Sequence, residues 1–328
     1  IGFTFPNEAN QFRLSGMSLR RGGSAGGPKE GESLEEGTLS RPFRHDSTST
    51  EWQDWVTCVA ALERSYFRDM ARYLREDLGV LCPIIGSQVS YGGIGGAFRE
   101  SQMDYGDMHA YWQHPRFPRK PWDGKDWEIA NTPMISDPGN SIALPLAHCR
   151  LQGKPFVVSE FNHPCPSWYA AEAWPVMASI AALQDWDGLI IHNYVNYGCE
   201  QWNERRWNGF FDTATRPEMM AFLPAAAVIF RTGAVTPLTR ETTLELPLRQ
   251  IHEMMGNGTW SVKDLWGKAT PTALVLLDSR LSLALTDTSA PPAVTCSSAE
   301  PPQDRQVCWE GSGDGKALYT VSTPAVQA

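Results

Sequence analysis

Apolar residues follow two patterns that alternate between residues 51 and 231. Apolar side chains recur at spacings of three and four from residue 52 to residue 78, which predicts an amphipathic helix that stops at Gly79. Short apolar and β-branched runs predict buried strands at 80–88, 103–112, 156–160 and 186–194. Further helices are predicted at 141–151, 169–185 and 218–231. Strands and helices that alternate in this way favour a parallel α/β architecture.

The two ends of the chain differ from this central part. Residues 1–50 predict a short strand fragment and a flexible loop rich in Gly, Ser, Arg and Glu, because such a composition buries little apolar surface. Residues 232–328 carry short apolar runs at 244–246, 273–277 and 317–321, which predict a small antiparallel β-domain. Both ends of the sequence read as if they were cut from within a longer chain, so we expect a fragment of a longer protein with a truncated C-terminal domain.

Polar side chains stand at the predicted C-terminal ends of consecutive strands. They are Gln88, His109 and Tyr111, Glu160, and His192 and Tyr194. His109 and Tyr111 are two residues apart on one strand, so their side chains point into the same space. Barrel enzymes keep their catalytic groups at the C-terminal ends of parallel strands, and no glycine-rich nucleotide fingerprint is present. Residues 51–231 are therefore predicted to be the C-terminal part of a (β/α)8 barrel.

Charge and composition narrow the class of partner. The net charge of −9, without a basic cluster, argues against nucleic acid or an anionic membrane surface, and no apolar run is long enough to span a bilayer. Among 13 tryptophans, those in predicted loops such as Trp112 and Trp168 suit stacking on sugar faces, although core packing is the more common role of a tryptophan. The seven cysteines lack zinc-site spacing, and Cys296 and Cys308 could form a disulfide.

Three spaced motifs resemble strands six to eight of clan A retaining glycoside hydrolases. They are the Asp-x-x-Asp-x-His-x-Tyr-Trp sequence in the run 104–115, the Ser159-Glu160 pair, and the run 184–188. The resemblance covers roughly residues 52–231 and extends to bacterial cellulase-like and β-galactosidase-like barrel proteins. It implies a hydrolase that cleaves β-glycosidic bonds in oligo- or polysaccharides by a retaining double displacement. Such an enzyme needs no cofactor, and its substrate suggests a secreted or periplasmic location.

The resemblance also assigns roles to individual residues. Glu160 would be the nucleophile, Tyr111 its hydrogen-bond partner, and His109 a substrate-binding or proton-network residue. The acid/base of clan A stands in an Asn-Glu pair on strand four, and Asn7-Glu8 matches that pair, which would place strands one to three upstream of this chain. The expected substrate-binding residues are His109, Gln88, Trp112, Asn162, His163, Trp168 and Tyr194.

Two other functions stay open. A metal-dependent barrel hydrolase would draw nitrogen and oxygen ligands from Asp104, Asp107, His109, His114, Glu160 and His163, although the tight His-x-His start of such enzymes is missing. A carbohydrate-binding remnant would bind sugar without hydrolysing it. Glu172 is expected to be an exposed acid, and His192 and Tyr194 either line the site or pack within the barrel.

Overall fold

Helices and strands alternate along the chain in the computed structural model, which describes residues 28–45, 47–196, 209–257, 261–311 and 316–327. The helices are α1 (Ser49–Arg72), α2 (Ile94–Glu100), α3 (Ala143–Ala147), α4 (Ala173–Leu183), α5 (Pro217–Met220), α6 (Leu223–Arg231), α7 (Leu248–Gly256) and α8 (Val262–Trp266). The strands are β1 (Gly106–Tyr111), β2 (Phe156–Asn162), β3 (Gly188–Ile191), β4 (Glu241–Pro247), β5 (Arg280–Thr286), β6 (Ala293–Cys296), β7 (Val307–Gly311) and β8 (Ala317–Val321). One compact unit spans Ile1–Trp55 and a second spans Val56–Ala328.

Helix α1 begins at a capping box and confirms the first predicted helix. The Thr48 hydroxyl accepts from the backbone N–H of Glu51 at 3.2 Å, and the Glu51 carboxylate accepts from the N–H of Thr48 at 2.8 Å. The helix continues into a π-helical turn, Tyr73–Asp77, and the chain then turns at Gly79, whose φ of +66° favours glycine.

The apolar stripe of α1 faces solvent. Val56 is the buried residue of this helix, whereas Leu62, Tyr66 and Met70 are exposed. The sequence pattern therefore predicted the helix and its apolar face correctly, but most of that face is exposed to solvent in the described part of the structure.

Strands β1, β2 and β3 form a parallel sheet in chain order, which confirms the mixed α/β class. Across the described residues this sheet has three strands and is not closed into a barrel. Strand β3 was predicted to be buried, but it lies at an edge of the described sheet and Ile190 is exposed. Trp174 of α4 packs against Phe161 of β2 with ring centroids 5.3 Å apart, and α4 also packs against α6.

The predicted strand at 80–88 is wrong. This segment runs beside the residues that lead into β1, where the N–H of Asp104 donates to the carbonyl of Ile84, but it forms no strand ladder. The guanidinium of Arg75 donates to the carbonyls of Val80 and Cys82, each at 2.7 Å, and Pro83 has no N–H to offer. The carbonyls of Val80 and Cys82 are therefore already hydrogen-bonded, and Pro83 cannot donate to a neighbouring strand.

Strand β2 holds one more residue than the part of β1 that it faces. Asp107 and His109, two residues apart, pair with Val157 and Glu160, which are three residues apart. The pairing of β2 with β3 shifts within the same stretch, so the extra residue belongs to β2. Two consecutive side chains of β2, those of Ser159 and Glu160, consequently both reach His109.

The C-terminal strands only partly match the predicted antiparallel domain. Strand β4 pairs with β6 in antiparallel fashion, and β7 pairs with β8 likewise, but β4 and β5 are parallel. The predicted strand at 273–277 is a 3₁₀-helix, Ala273–Leu277, because Thr272 caps it by accepting from the N–H of Leu274 at 3.2 Å.

These strands pack against the α/β part through buried polar contacts. Gln184, at the end of α4, donates to the carbonyls of Leu276 and Ser279, both at 2.8 Å. The unit Val56–Ala328 thus holds the three sheets of the described residues, and the predicted three-part division stays a prediction. Cys296 and Cys308 are free thiols, so the suggested disulfide is absent. None of the helices in the described part of the chain is long and apolar enough to cross a bilayer.

Candidate functional site

Glu160 lies near the C-terminal end of β2 and receives contacts from strand β1 and from the residue that follows β3. The Tyr111 hydroxyl donates a hydrogen bond to its Oε2 atom. The Nδ1 atom of His109 lies 3.4 Å from the same oxygen, and the Nδ1 atom of His192 lies 3.8 Å from it. His109 and Tyr111 therefore share one side of β1, as period two predicts, and the Glu160 side chain is 35% exposed, so a ligand can reach it.

A second carboxylate lies beneath His109. Asp107 is buried, and its two oxygens accept from the backbone N–H of Ser159 at 2.9 Å and from the Ser159 hydroxyl at 2.7 Å. The Nε2 atom of His109 is 2.7 Å from that hydroxyl and 3.1 Å from the Asp107 carboxylate. His109 thus lies between two acids, Asp107 and Glu160.

Aromatic rings surround Tyr111. Its ring lies 4.5 Å from that of Phe211 at an interplanar angle of 31°, and edge-on contacts join it to His192 and His114. His114 in turn contacts Trp122 edge-on at 5.5 Å. Trp122 is 67% exposed and has a backbone φ of +62°, so its ring lies at the surface on a conformation that non-glycine residues rarely adopt.

Burial and hydrogen bonding shift the pKa of two groups at the site. Burial, together with the hydrogen bond to Glu160, raises the pKa of Tyr111, so its hydroxyl keeps its proton and remains a donor. Burial also raises the pKa of Asp212, although the N–H of Asn196, which donates to it at 3.1 Å, and nearby His192 oppose this shift. Through its hydrogen bond with Asn196, Asp212 links the segment after β3 to the chain around Phe211.

Asn162 is buried and supports the site from below, which makes its predicted role in substrate binding wrong. Its amide nitrogen donates to the backbone carbonyls of His192 and Phe211, the latter at 2.7 Å. Its side-chain oxygen accepts from the N–H of His163 at 2.7 Å. Asn162 therefore holds together the segments that carry His192 and Phe211.

His163 is also buried, so it cannot bind substrate as predicted. Its Nε2 atom lies 3.1 Å from the carboxylate of Glu172, and burial lowers its pKa. Glu172 was predicted to be exposed, but its carboxylate accepts from the N–H groups of Met134 and Ile135 at 2.6 and 3.2 Å. This largely covered carboxylate, with its three partners, anchors the loop before α3 to the start of α4.

The remaining predicted residues take different positions. Trp112 is buried and its indole N–H donates to the carbonyl of Thr132 at 2.8 Å, so its predicted sugar contact is wrong. Gln88 accepts from the N–H of His109 at 3.2 Å and so supports β1. Tyr194 and Trp168, 52% and 85% exposed, follow the ends of β3 and β2 and offer surface rings.

Glu8, the predicted acid/base, lies outside the described residues. The proposed metal ligands do not form a single group: Asp107 and Glu160 both lie beside His109, but Asp104 forms an ion pair with Arg75, and His163 pairs with Glu172. Within the ranges that the structure describes, no three His, Cys, Asp or Glu side chains are grouped to hold a metal ion.

Sequence reasoning missed Asp107 and Ser159 as partners of His109. Asp107 stands two residues before His109, so period two could have placed both on one face. Ser159 could not have been found this way, because alternation puts it opposite Glu160 unless a bulge intervenes. Phe211 carries no motif that would mark it, whereas Trp122 is one of the predicted loop tryptophans that suit stacking on a sugar.

Comparisons with known proteins do not add a family to this geometry. No protein-family model matches the sequence, and neither the curated proteins nor the solved structures yield a match. Interpretation of the site therefore depends on its residues alone.

Proposed function

We propose that this chain carries the nucleophile of a retaining glycoside hydrolase, Glu160, which acts on β-glycosidic bonds in oligo- or polysaccharides. One observation carries the proposal. The Tyr111 hydroxyl and the His109 ring converge on one oxygen of a partly exposed carboxylate near the end of a parallel strand. That arrangement suits a carboxylate that must stay ionised and fixed in direction while it attacks.

The proposed fold is part of a (β/α)8 barrel. Strands β1, β2 and β3 are parallel and adjacent in chain order, and the polar side chains lie toward their C-terminal ends. In barrel enzymes the catalytic groups occupy that face. The three strands would then correspond to strands six, seven and eight of the clan A barrel that the sequence resembles.

The mechanism follows from the two oxygens of Glu160. The contacts described above all involve Oε2, which leaves Oε1 to attack the anomeric carbon and form a glycosyl-enzyme intermediate. Positive charge that develops on the sugar favours the nearby carboxylate. The second carboxyl group of a retaining enzyme stands about 5 to 5.5 Å away and shuttles the leaving-group proton. Glu8 is the candidate for that role.

The surface rings near the site support a carbohydrate ligand. Trp122 connects to Tyr111 through His114 and exposes most of its side chain. A flat apolar ring beside polar groups can pack on the C–H face of a sugar while hydroxyl groups reach Glu160 and its neighbours. Trp168 and Tyr194 could extend such a surface.

Covalent trapping tests the proposal directly. Incubation with 2,4-dinitrophenyl 2-deoxy-2-fluoro β-glycosides of galactose, glucose and mannose should add one sugar to the protein, and peptide mass spectrometry should locate it on Glu160. An activated leaving group departs without an acid catalyst, so the test does not depend on Glu8. The Glu160→Ala variant should not be labelled, should lose hydrolysis of ordinary aryl glycosides, and should regain part of its turnover with azide.

Glu253→Ala, which removes an exposed carboxylate on α7, is the matched control and should behave like the wild type. Labelling of another residue, or wild-type turnover by Glu160→Ala, would remove Glu160 as nucleophile. Oligosaccharide binding without labelling or turnover would favour the carbohydrate-binding remnant.

A further inference from the structure

A cavity of about 490 Å³ lies on the other face of β1 from Glu160. Met108 lines this cavity, and because side chains alternate along a strand, Met108 points away from the face that carries Asp107 and His109. The other walls come from the turn before α2, from the end of α3 and from the start of α8. Small-molecule sites have volumes of about 300–1,000 Å³, so the cavity is large enough for a ligand.

Most of the cavity wall is apolar. Met108, Pro145 and Val262 contribute hydrocarbon and thioether surface. Cys149 is buried, and burial raises the pKa of its thiol to about 12, so the thiol is uncharged and packs as an apolar group. The hydroxyl of Ser90 donates to the Sδ atom of Met108 at 3.0 Å and is thereby engaged within the wall. A ligand of this cavity therefore needs an apolar body.

His148 adds a polar atom to the wall without adding charge. Its side chain lines the cavity, is 2% exposed and stacks on Trp266 with ring centroids 5.2 Å apart. Burial lowers the pKa of His148 to about 3, and the positive charge of Lys263 adds to this shift, so the imidazole is neutral at physiological pH. Its Nδ1 atom has no hydrogen-bond partner in the described structure, so protein groups leave one buried polar atom of the wall unpaired.

The positive charge at the cavity comes from Lys263. This side chain is exposed, and it is the charged one among the described residues that line the cavity. No Asp or Glu in the described part of the chain lies within ion-pairing distance of its ammonium group. The Ser261 hydroxyl, which also lines the cavity, accepts from the backbone N–H of Lys263 at 3.1 Å, and no described residue accepts the hydrogen of that hydroxyl. An ammonium and a hydroxyl at one cavity suit the two oxygens of a carboxylate.

We propose that this cavity is a binding site for a small carboxylic acid with an apolar body, such as a medium-chain fatty acid or an aryl-substituted alkanoic acid. The carboxylate binds to Lys263 and Ser261, and the body packs against Met108, Pro145 and Val262. A cation without a paired acid, beside apolar walls, attracts an anion more strongly than it would in open water. The inference does not depend on the proposed function, because the cavity and the catalytic carboxylate lie on opposite faces of β1.

Calorimetric titration of the full chain with octanoate and with 4-phenylbutyrate tests the site. Each acid should bind saturably and one to one. Octanamide and 4-phenylbutyramide keep the apolar body but lack the charge, so they should bind at least about tenfold more weakly than the acids. Added salt should weaken the binding of the acids and leave that of the amides unchanged, because it screens the charge of Lys263.

Two variants separate the head of the ligand from its body. Lys263→Gln removes the charge at an exposed position and should reduce the affinity for the acids to that for the amides. Pro145→Trp, at a second exposed position, should fill the cavity and abolish binding of the acids. Lys125→Gln, which removes the charge of an exposed lysine in the loop before α3, is the matched control and should bind every ligand like the wild type.

Photolabelling locates the ligand without requiring any variant to fold. A medium-chain fatty acid with a diazirine near the end of its chain should label wild-type peptides that contain Met108, Pro145 or Val262, and excess octanoate should prevent the labelling.

The inference would be overturned by any of four results. They are the absence of saturable binding by both acids, labelling of other peptides, amides that bind as tightly as the acids, and full binding of the acids by Lys263→Gln. None of these measurements uses a glycoside or depends on Glu160. Failure of this site would therefore leave the glycosidase proposal standing, and failure to trap a glycoside would leave this site standing.

Discussion

Replacing Tyr111 with phenylalanine isolates the donor that the site depends on most. The change removes the hydroxyl that donates to Glu160 and keeps the ring, which packs against Phe211 at 4.5 Å. Because burial raises the pKa of Tyr111, the wild-type hydroxyl is protonated at every working pH, so the comparison is between one donor and none.

The size of the effect follows from the kind of hydrogen bond lost. A hydrogen bond to a charged group contributes about 1.5–3 kcal/mol, and about 1.36 kcal/mol corresponds to a tenfold change in rate. Full loss of the bond therefore predicts a fall in kcat/KM of about 10- to 150-fold. His109 still contacts Oε2 at 3.4 Å, so activity should not vanish.

The assay is hydrolysis of aryl β-glycosides across pH 4–9, with urea unfolding as the check on folding. Tyr66→Phe removes the same atom from an exposed tyrosine of α1 and should leave kcat/KM unchanged. A Tyr111→Phe variant that folds normally and retains kcat/KM within a factor of two would contradict the role given to this hydroxyl.

Two further predictions concern stability. Asn162→Ala leaves two backbone carbonyls, that of buried Phe211 and that of half-buried His192, without their donor, so the free energy of unfolding in urea should fall by about 2–4 kcal/mol. A fall below about 1 kcal/mol would show that the Asn162 amide does not hold these two segments together. Burial lowers the pKa of His148 to about 3, so the folded chain excludes a proton that the unfolded chain binds below about pH 6.5. Wild-type stability should therefore fall as the pH drops from 6.5 to 4.5, with this histidine contributing up to about 1.4 kcal/mol per pH unit. His148→Phe keeps a ring against Trp266 and should give a shallower pH dependence in urea titrations, whereas equal slopes would count against burial of a neutral imidazole.

The sequence was informative where local periodicity settles the geometry. The spacing of His109 and Tyr111 placed both on one side of a strand, and the apolar run before Glu160 placed this acid near a strand end. Both inferences use only the two-residue repeat of a β-strand. The same reasoning identified the alternation of helices and parallel strands in the central part of the chain.

It failed where tertiary contacts decide. The segment 80–88 has the composition of a strand, but Arg75 occupies its carbonyls. From the sequence Glu172 was expected to be a surface acid, but in the structure it contacts two backbone N–H groups and His163. Such partners lie far away in the sequence, or depend on how a loop closes, and no local pattern contains them. Buried Asn162 was misjudged for the same reason.

The extra residue in β2 makes this stretch sensitive to length rather than to composition. Deleting one codon between Val157 and Phe161 would restore regular alternation and turn either Ser159 or Glu160 away from His109, even if every remaining side chain were kept. Conservative exchanges at Val158 would preserve the spacing. In a mutational library of this segment, frame-preserving deletions should therefore be depleted much more strongly than substitutions. Natural variants of the site are expected to differ in the identity of these residues but to keep the same number of them.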